Sequence, residues 1–379
     1  VTRAGSTRFE RRPREIWGVE LRPVYYLAAM APVALALKLT GSAPSFVFFS
    51  SAIAVIPAAA LMSEATEQLS SRSGAGVAGL LNVTFGNAPE LIIAFFALLD
   101  GLQEVVKASL VGSVIGNSLL VLGAAMVVGG RNRTRQTFDR TTAQTHSGLL
   151  LVTVIALILP AVVVLARGES LPVVGAPRQS FGSHINHLSL AVSIVMIVVY
   201  AASLVFSLRT HRDLFAPAHD DERAAPPWPL ARCVVILAFA GVLVGVMSEL
   251  LVGSIEHASK AIGLSEFFVG AFIVAIVGNA AEHYVALVVA AKDKMDLAVN
   301  IAIGSSAQVG LFVAPVLVIL SFAFGPAPMA LVFNGYEIAA LLFGVLISTT
   351  LIADGESTWF EGVQLLGIYV LVGMVFYYA

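Results

Sequence analysis

The sequence predicts an all-α multi-pass membrane protein with eleven transmembrane helices, a peripheral first helix followed by two inverted-topology five-helix repeats. Three observations lead there. The 379 residues are 58% hydrophobic and only 12% charged, about half the charged share of an ordinary soluble domain. The charges cluster and leave eleven apolar stretches between them. One polar pentapeptide inside such a stretch recurs in altered form 192 residues later.

The apolar fraction amounts to about 220 residues, and at roughly 20 per spanning helix this suffices for about eleven crossings. Their cores fall at 22–40, 44–66, 75–99, 105–129, 145–166, 185–208, 229–252, 265–291, 297–323, 328–352 and 360–378. The first stretch follows the arginine-rich segment 1–21. No small-residue cleavage pattern follows it, so it reads as a retained helix rather than a signal peptide. With the N-terminus in the cytoplasm, 17 of the 22 lysines and arginines fall on the inner side. They include Arg72, Arg131, Arg133, Arg135, Arg140, Arg209, Lys292 and Lys294, whereas Lys38, Lys107, Arg167, Arg178 and Lys260 fall outside. This positive-inside bias sets an N-in, C-out expectation, with the plasma (inner) membrane as the expected location. Acidic and basic residues number 24 and 22, which gives no field for a nucleic acid. The single Cys233 excludes an internal disulfide and any cysteine-rich metal site.

The recurrence carries the chemistry. Gly86-Asn87-Ala88-Pro89-Glu90 in span three matches Gly278-Asn279-Ala280-Ala281-Glu282 in span eight, and the next spans match at Gly112-Ser113 and Gly304-Ser305. The copies lie five spans apart, an odd number, so one enters the membrane from the opposite side to the other, as in transporters with a midplane site. Spans two to six (44–208) form one repeat and spans seven to eleven (229–379) the other, joined by the polar, proline-containing linker 209–228.

A carboxylate at the bilayer midplane is costly and marks an ion or proton pathway, which singles out Glu90 and Glu282. Gly86 and Asn87, four and three positions before Glu90, share its helical face, as Gly278 and Asn279 do for Glu282. Pro89 breaks the ladder to the Phe85 carbonyl. In the second copy Ala281 stands there, so the break is expected to depend on Gly278. Ser113, Ser305, Ser306, Gln308 and Asn117 offer further oxygens, with close helix packing as the competing role for the serines. A two-carboxylate, all-oxygen set suits a hard cation, Ca2+ rather than a transition metal. His283 points about 100° away from Glu282, as a proton relay or as a partner to a neighbouring helix. Glu64 with Glu67, and Glu249 with Glu256 nearly in line along span seven, are candidate vestibule acids, with interfacial helix-end charges as the alternative.

The strings GNAPELIIAFFAL and IVGNAAEHYVALVVAAKDKMDLAVNIAIGSSAQVGLF resemble the two repeat signatures of the cation/proton exchangers in the cation/Ca2+ exchanger superfamily. The resemblance runs from SEATEQL near residue 63, through SELLVGSIEHA near 248, to the end. It implies ten helices in two inverted halves plus a peripheral helix, with Glu90 and Glu282 binding the ion and Asn87, Asn279, Ser113, Ser305 and Gln308 around them. Sodium/calcium exchangers carry a G-T-S-x-P-E type string where this chain has GNAPE, which favours proton coupling. Many relatives have a proline just before the second signature, where this chain has Ala275-Ile276-Val277.

Two facing carboxylates repel in a dry site, so Ca2+ and protons compete for the same oxygens. Ca2+ is then cargo and no cofactor is expected. Sodium-coupled exchange and a cation channel are the alternatives. A hydrolase is disfavoured, because the chain has no H-E-x-x-H string and no intramembrane nucleophile paired with a base.

Overall fold

A computed structural model describes residues 15–16, 19–20, 23–73, 75–175, 181–211 and 228–379. Most of the expected tail 1–21 and linker 209–228 lies outside the described residues. A short 3-10 segment, Pro23–Ala29, leads into α1 (Met30–Leu39). There follow α2 (Pro44–Ser70), α3 (Ala75–Gly86), α4 (Ala88–Leu99), α5 (Gln103–Gly130), α6 (Arg140–Ala166) and α7 (Ser183–Thr210). The chain continues through α8 (Leu230–Val252), α9 (Ile255–Ile262), α10 (Glu266–Ala291), α11 (Met295–Ala323), α12 (Gly335–Leu351) and α13 (Trp359–Tyr378). Two minimal antiparallel ladders join Glu15–Ile16 to Val19–Glu20 and Gln136–Thr137 to Glu356–Ser357.

Local chemistry explains the starts. Pro44 opens α2, where its missing N–H costs nothing. Asp139 caps α6 by accepting from the Thr142 N–H at 2.6 Å. Reciprocal capping boxes open α12 (Asn334 with Glu337) and α13 (Thr358 with Glu361). Among the described residues eight helices are long and apolar enough to cross a membrane, and three shorter apolar helices occupy Val24–Leu39, Ala88–Leu99 and Gly335–Leu351. Length thus supports eight of the eleven expected crossings directly. The tenth expected span starts late: Met329–Phe333 is a buried, non-helical segment, and the helix begins only after the Asn334 cap.

The crossings reveal the chain directions. A side chain added at Gly86 would face Glu282, and one at Gly278 would face Glu90, so the earlier residue of each pair meets the later residue of the other. The α3–α4 run and α10 are therefore antiparallel. Ser113 meets Asn279 and Asn117 meets His283, so α5 and α10 run parallel. Antiparallel copies of the recurring motif are the geometry of an inverted repeat. The α5–α10 crossing is tight, since a Cβ at Gly112 would sit 1.9 Å from the Ala271 carbonyl oxygen; only glycine permits that approach.

Several expectations need correction. The second motif does not break its helix: α10 continues through Gly278 and Asn279, because Ala281 keeps the N–H that Pro89 lacks. Its irregularity is a π-helical turn upstream, Val269–Val274. Three more π-helical turns were not foreseen: Phe206–Thr210 ends α7, and Gly116–Val121 in α5 and Val309–Val313 in α11 occupy nearly equivalent places in the two repeats. Glu249 and Glu256 are not in line along one span either, because α8 ends at Val252 and α9 starts anew after Gly253 and Ser254.

Candidate functional site

The first motif sits at a break between two helices. Asn87 has φ −93° and ψ 10°, between the end of α3 at Gly86 and the start of α4 at Ala88. Pro89 occupies the first turn of α4, where an N–H has no intrahelical partner in any case. Glu90 follows in the same turn and is buried, 8% exposed. Neither of its carboxylate oxygens has a hydrogen-bond partner among the described residues. A buried polar group without a partner is costly, which makes this carboxylate a candidate for binding an ion or a proton.

The second motif faces it across the crossing. An added Cβ at Gly278 would lie 3.1 Å from Glu90 Cγ, and one at Gly86 would lie 3.8 Å from Glu282 Oε1. The two carboxylates thus converge on one place, each beside the other repeat's glycine. Glu282 is half-buried, and its Oε2 accepts a short hydrogen bond from the Ser305 hydroxyl. Its Oε1 is the oxygen that looks toward Gly86.

The amides around the carboxylates pair between repeats. The Asn87 amide nitrogen donates to Gln308 Oε1 at 2.8 Å. The Asn279 amide nitrogen donates to Ser113 Oγ at 2.9 Å and to the carbonyl oxygen of Ala275 at 2.8 Å. Asn117 donates from its amide nitrogen to Asn279 Oδ1 at 3.1 Å, and His283 Nε2 lies 3.0 Å from Asn117 Oδ1. Ser306 donates to the carbonyl oxygens of Val114 and Ala302, a packing role. Every residue singled out around the two glutamates is therefore present at the crossing, but the amide groups are largely committed to one another. His283 reaches the neighbouring helix, one of the two roles expected for it.

The candidate vestibule acids lie elsewhere. Glu64 accepts from the Tyr25 hydroxyl at 2.6 Å, Glu67 and Glu249 are exposed, and Glu256 is ion-paired with Lys260 at 2.7 Å on the surface of α9. That pair draws the Glu256 carboxyl below its ordinary range, chiefly through the Lys260 hydrogen bond. One neighbour escaped sequence reading. His146 on α6 packs beside Gly304, and together with Tyr200 and Gln308 it lines a cavity of about 540 Å³ between α6, α7 and α11. The only signal was a lone polar ring in an apolar helix, which by itself points nowhere.

No group of three or more histidines, cysteines, aspartates or glutamates gathers to hold a metal among the described residues. The donor set at the crossing is two carboxylates with amide and hydroxyl oxygens, chemistry for a hard cation.

The family described as sodium/calcium exchanger protein matches residues 44–209 and 233–378. The chain is 44% identical over 339 residues to a Ca(2+)/H(+) antiporter, ChaA, of Bacillus subtilis (strain 168), covering 88% of this chain and 93% of that protein. It is 40% identical over 371 residues to a Ca(2+)/H(+) antiporter of Synechocystis, covering 93% and 96%. The solved structure of native YfkE superposes with a TM-score of 0.79 at 38% identity, over 94% of this chain and 100% of that one.

Proposed function

The chain belongs to the sodium/calcium exchanger protein family, and from that premise we propose that it exchanges Ca2+ for protons across a membrane by alternating access, with Glu90 and Glu282 holding either the cation or protons. The observation that carries this reading is the reciprocal approach of each glutamate to the other repeat's glycine. Relatives at 40–44% identity bear the name Ca(2+)/H(+) antiporter, which supports protons as the counter-ion.

The mechanism follows from electrostatics. Two ionised carboxylates confined together out of water are penalised by desolvation and mutual repulsion. A Ca2+ ion between them removes that penalty, and so does protonation. The empty, doubly charged form is the costly one, which suppresses crossing without cargo and couples the two fluxes. Both oxygens of Glu90 and the Oε1 of Glu282 are the carboxylate oxygens left for the ion, while Ser305 holds the Oε2 of Glu282 in place. Gly278 supplies the room beside Glu90, and Gly86 lies next to the Oε1 of Glu282. Asn87, Asn279, Ser113 and Gln308 surround the ion and set the spacing of the helices. Ca2+ is cargo here, the protein works as a transporter rather than an enzyme, and no cofactor is required.

Residues 44–208 and 229–379 form the two repeats in this reading, with 209–228 as linker and 22–40 peripheral. The lysine and arginine distribution supports a cytoplasmic N-terminus and an outer C-terminus, and the plasma membrane is the proposed site of action. Glu64, Glu67 and Glu249 remain as weak collectors of cations at the rims, and the ion-paired Glu256 drops to a surface role.

The test is Ca2+ uptake into proteoliposomes under an imposed pH gradient, with a sodium gradient as control. Proton-driven uptake, lost in Glu90→Gln and in Glu282→Gln at unchanged thermal stability, is the expected result. Sodium-driven and pH-insensitive uptake would overturn the proton coupling. Uptake by either glutamine variant at the wild-type rate would overturn the site.

A further inference from the structure

We propose that His283 and Asn117 are positioning residues whose hydrogen bonds have a fixed direction, with His283 a permanent Nε2–H donor that passes no proton through Asn117. This deepens the exchange reading above and rests on it. The argument starts at a backbone carbonyl. The Asn279 side chain approaches the Ala275 carbonyl oxygen at 2.8 Å, and a carbonyl can only accept, so the atom there must be the amide nitrogen. The opposite end of that amide, Oδ1, is then an acceptor, and the group 3.1 Å from it on Asn117 must be a donor, Nδ2. That leaves Oδ1 as the Asn117 atom facing His283, so the imidazole nitrogen 3.0 Å away carries a hydrogen. One backbone oxygen thereby sets the polarity of three side chains on two helices.

Burial makes the polarity binding. Asn279 is 0% exposed and Asn117 1%, so reversing either amide would set acceptor against acceptor with no water to intervene. The chain ends on the ion site. The second hydrogen of the Asn279 amide goes to Ser113 Oγ at 2.9 Å, so that hydroxyl accepts from Asn279 and its own proton is directed elsewhere. Ser113 occupies in the first repeat the place of Ser305, whose hydroxyl donates to Glu282.

Proton relay through this path fails on the same grounds. A proton leaving His283 Nε2 would have to pass through the Asn117 amide, whose oxygen already accepts and whose nitrogen does not take up protons near neutral pH. What the pair does is fix the orientation of Asn279, and through it Ser113 and the spacing of α5 from α10. The spacing pattern agrees: Ser113 with Asn117 and Asn279 with His283 are both four apart, so each pair occupies one helical face, and two parallel faces interlock.

Two measurements test this. The first is nitrogen NMR of the histidine rings in the full-length protein, with His283 assigned by its loss in His283→Gln. The His283 Nε2 should stay protonated throughout, between about pH 5 and 8, and a ring protonated on Nδ1 alone would overturn the assignment whatever the protein transports. The second is Ca2+ flux in proteoliposomes. His283→Ala should raise the KM for Ca2+ at least tenfold. His283→Gln, which restores an N–H donor at that place, should recover most of that loss. Asn117→Asp keeps the volume but sets an oxygen against Asn279 Oδ1, so KM should again rise at least tenfold. A His283→Gln variant no better than His283→Ala would show that the N–H donor does not position Asn117, and would sink the inference. Asn117→Asp with a wild-type KM would sink it equally. Failure of the wild-type protein to exchange Ca2+ for protons would instead strike the proposed function, leaving the NMR result to decide the polarity.

Discussion

Replacing Gly278 by alanine should stabilise the protein and weaken its hold on Ca2+. Gly278 lies inside the continuous helix α10, where alanine is favoured over glycine by about 1 kcal/mol. The new methyl would lie 3.1 Å from Glu90 Cγ, with Glu90 Cα and Ile93 Cδ1 each at 3.7 Å. Ordinary carbon contacts fall at about 3.5–4.0 Å, so only the Glu90 side chain has to give, by about 0.5 Å. A misplacement of about 1 Å at a functional site costs up to about 100-fold. Half of that gives roughly tenfold in the KM for Ca2+, or about 1.4 kcal/mol. Gly86→Ala is the control, because its methyl would lie 3.8 Å from Glu282 Oε1, an ordinary contact, and no resolvable change in KM is expected. The assay is Ca2+ flux against Ca2+ concentration in proteoliposomes, with thermal melting of both variants. An unchanged KM for Gly278→Ala, or an equal loss in Gly86→Ala, would refute the packing argument that places the two carboxylates together.

Pro89→Ala restores an N–H in the first turn of α4 and allows α3 and α4 to join across Asn87, so Ca2+ affinity should fall several-fold at unchanged melting temperature; unchanged affinity would leave Asn87 alone responsible for the break. Asp293→Gly should leave stability within about 1 kcal/mol, because glycine adopts the observed φ of 66° freely. The lost Arg133 ion pair at 3.0 Å is also largely exposed on the aspartate side, and such pairs are worth about 0–1 kcal/mol; chemical or thermal denaturation decides. Tyr25→Phe removes the 2.6 Å hydrogen bond to Glu64 and should cost about 1.5–3 kcal/mol with no change in Ca2+ KM. A raised KM in that variant would put Glu64 on the ion path.

Glu90 and Glu282 were legible because each is a charge in an apolar span, and a charge at that depth has few uses. The failure at Gly278 was equally local in origin. A glycine next to a polar string was read as a helix break, but the physical demand there was space for Glu90, which an unbroken helix with glycine at one position meets. The π-helical turns left no legible trace, since they add one residue to a turn without requiring any particular side chain.

Composition, charge clustering and the recurring pentapeptide by themselves determined the membrane class and the inverted repeat, and they singled out the two candidate carboxylates. These follow from hydropathy, which acts residue by residue, and from parity, which needs only the number of crossings between two copies. Which polar groups meet was decided by the tertiary structure alone. Asn87 and Gln308 are 221 positions apart and Asn279 and Ser113 are 166 apart. Their pairing depends on the rotation of each helix about its axis and on the register of α5 against α10, both set by packing at Gly112 and by the π-helical turns. The direction of the amide chain was beyond any sequence argument, because it originates at a backbone oxygen, that of Ala275, which every residue of the protein possesses in the same form.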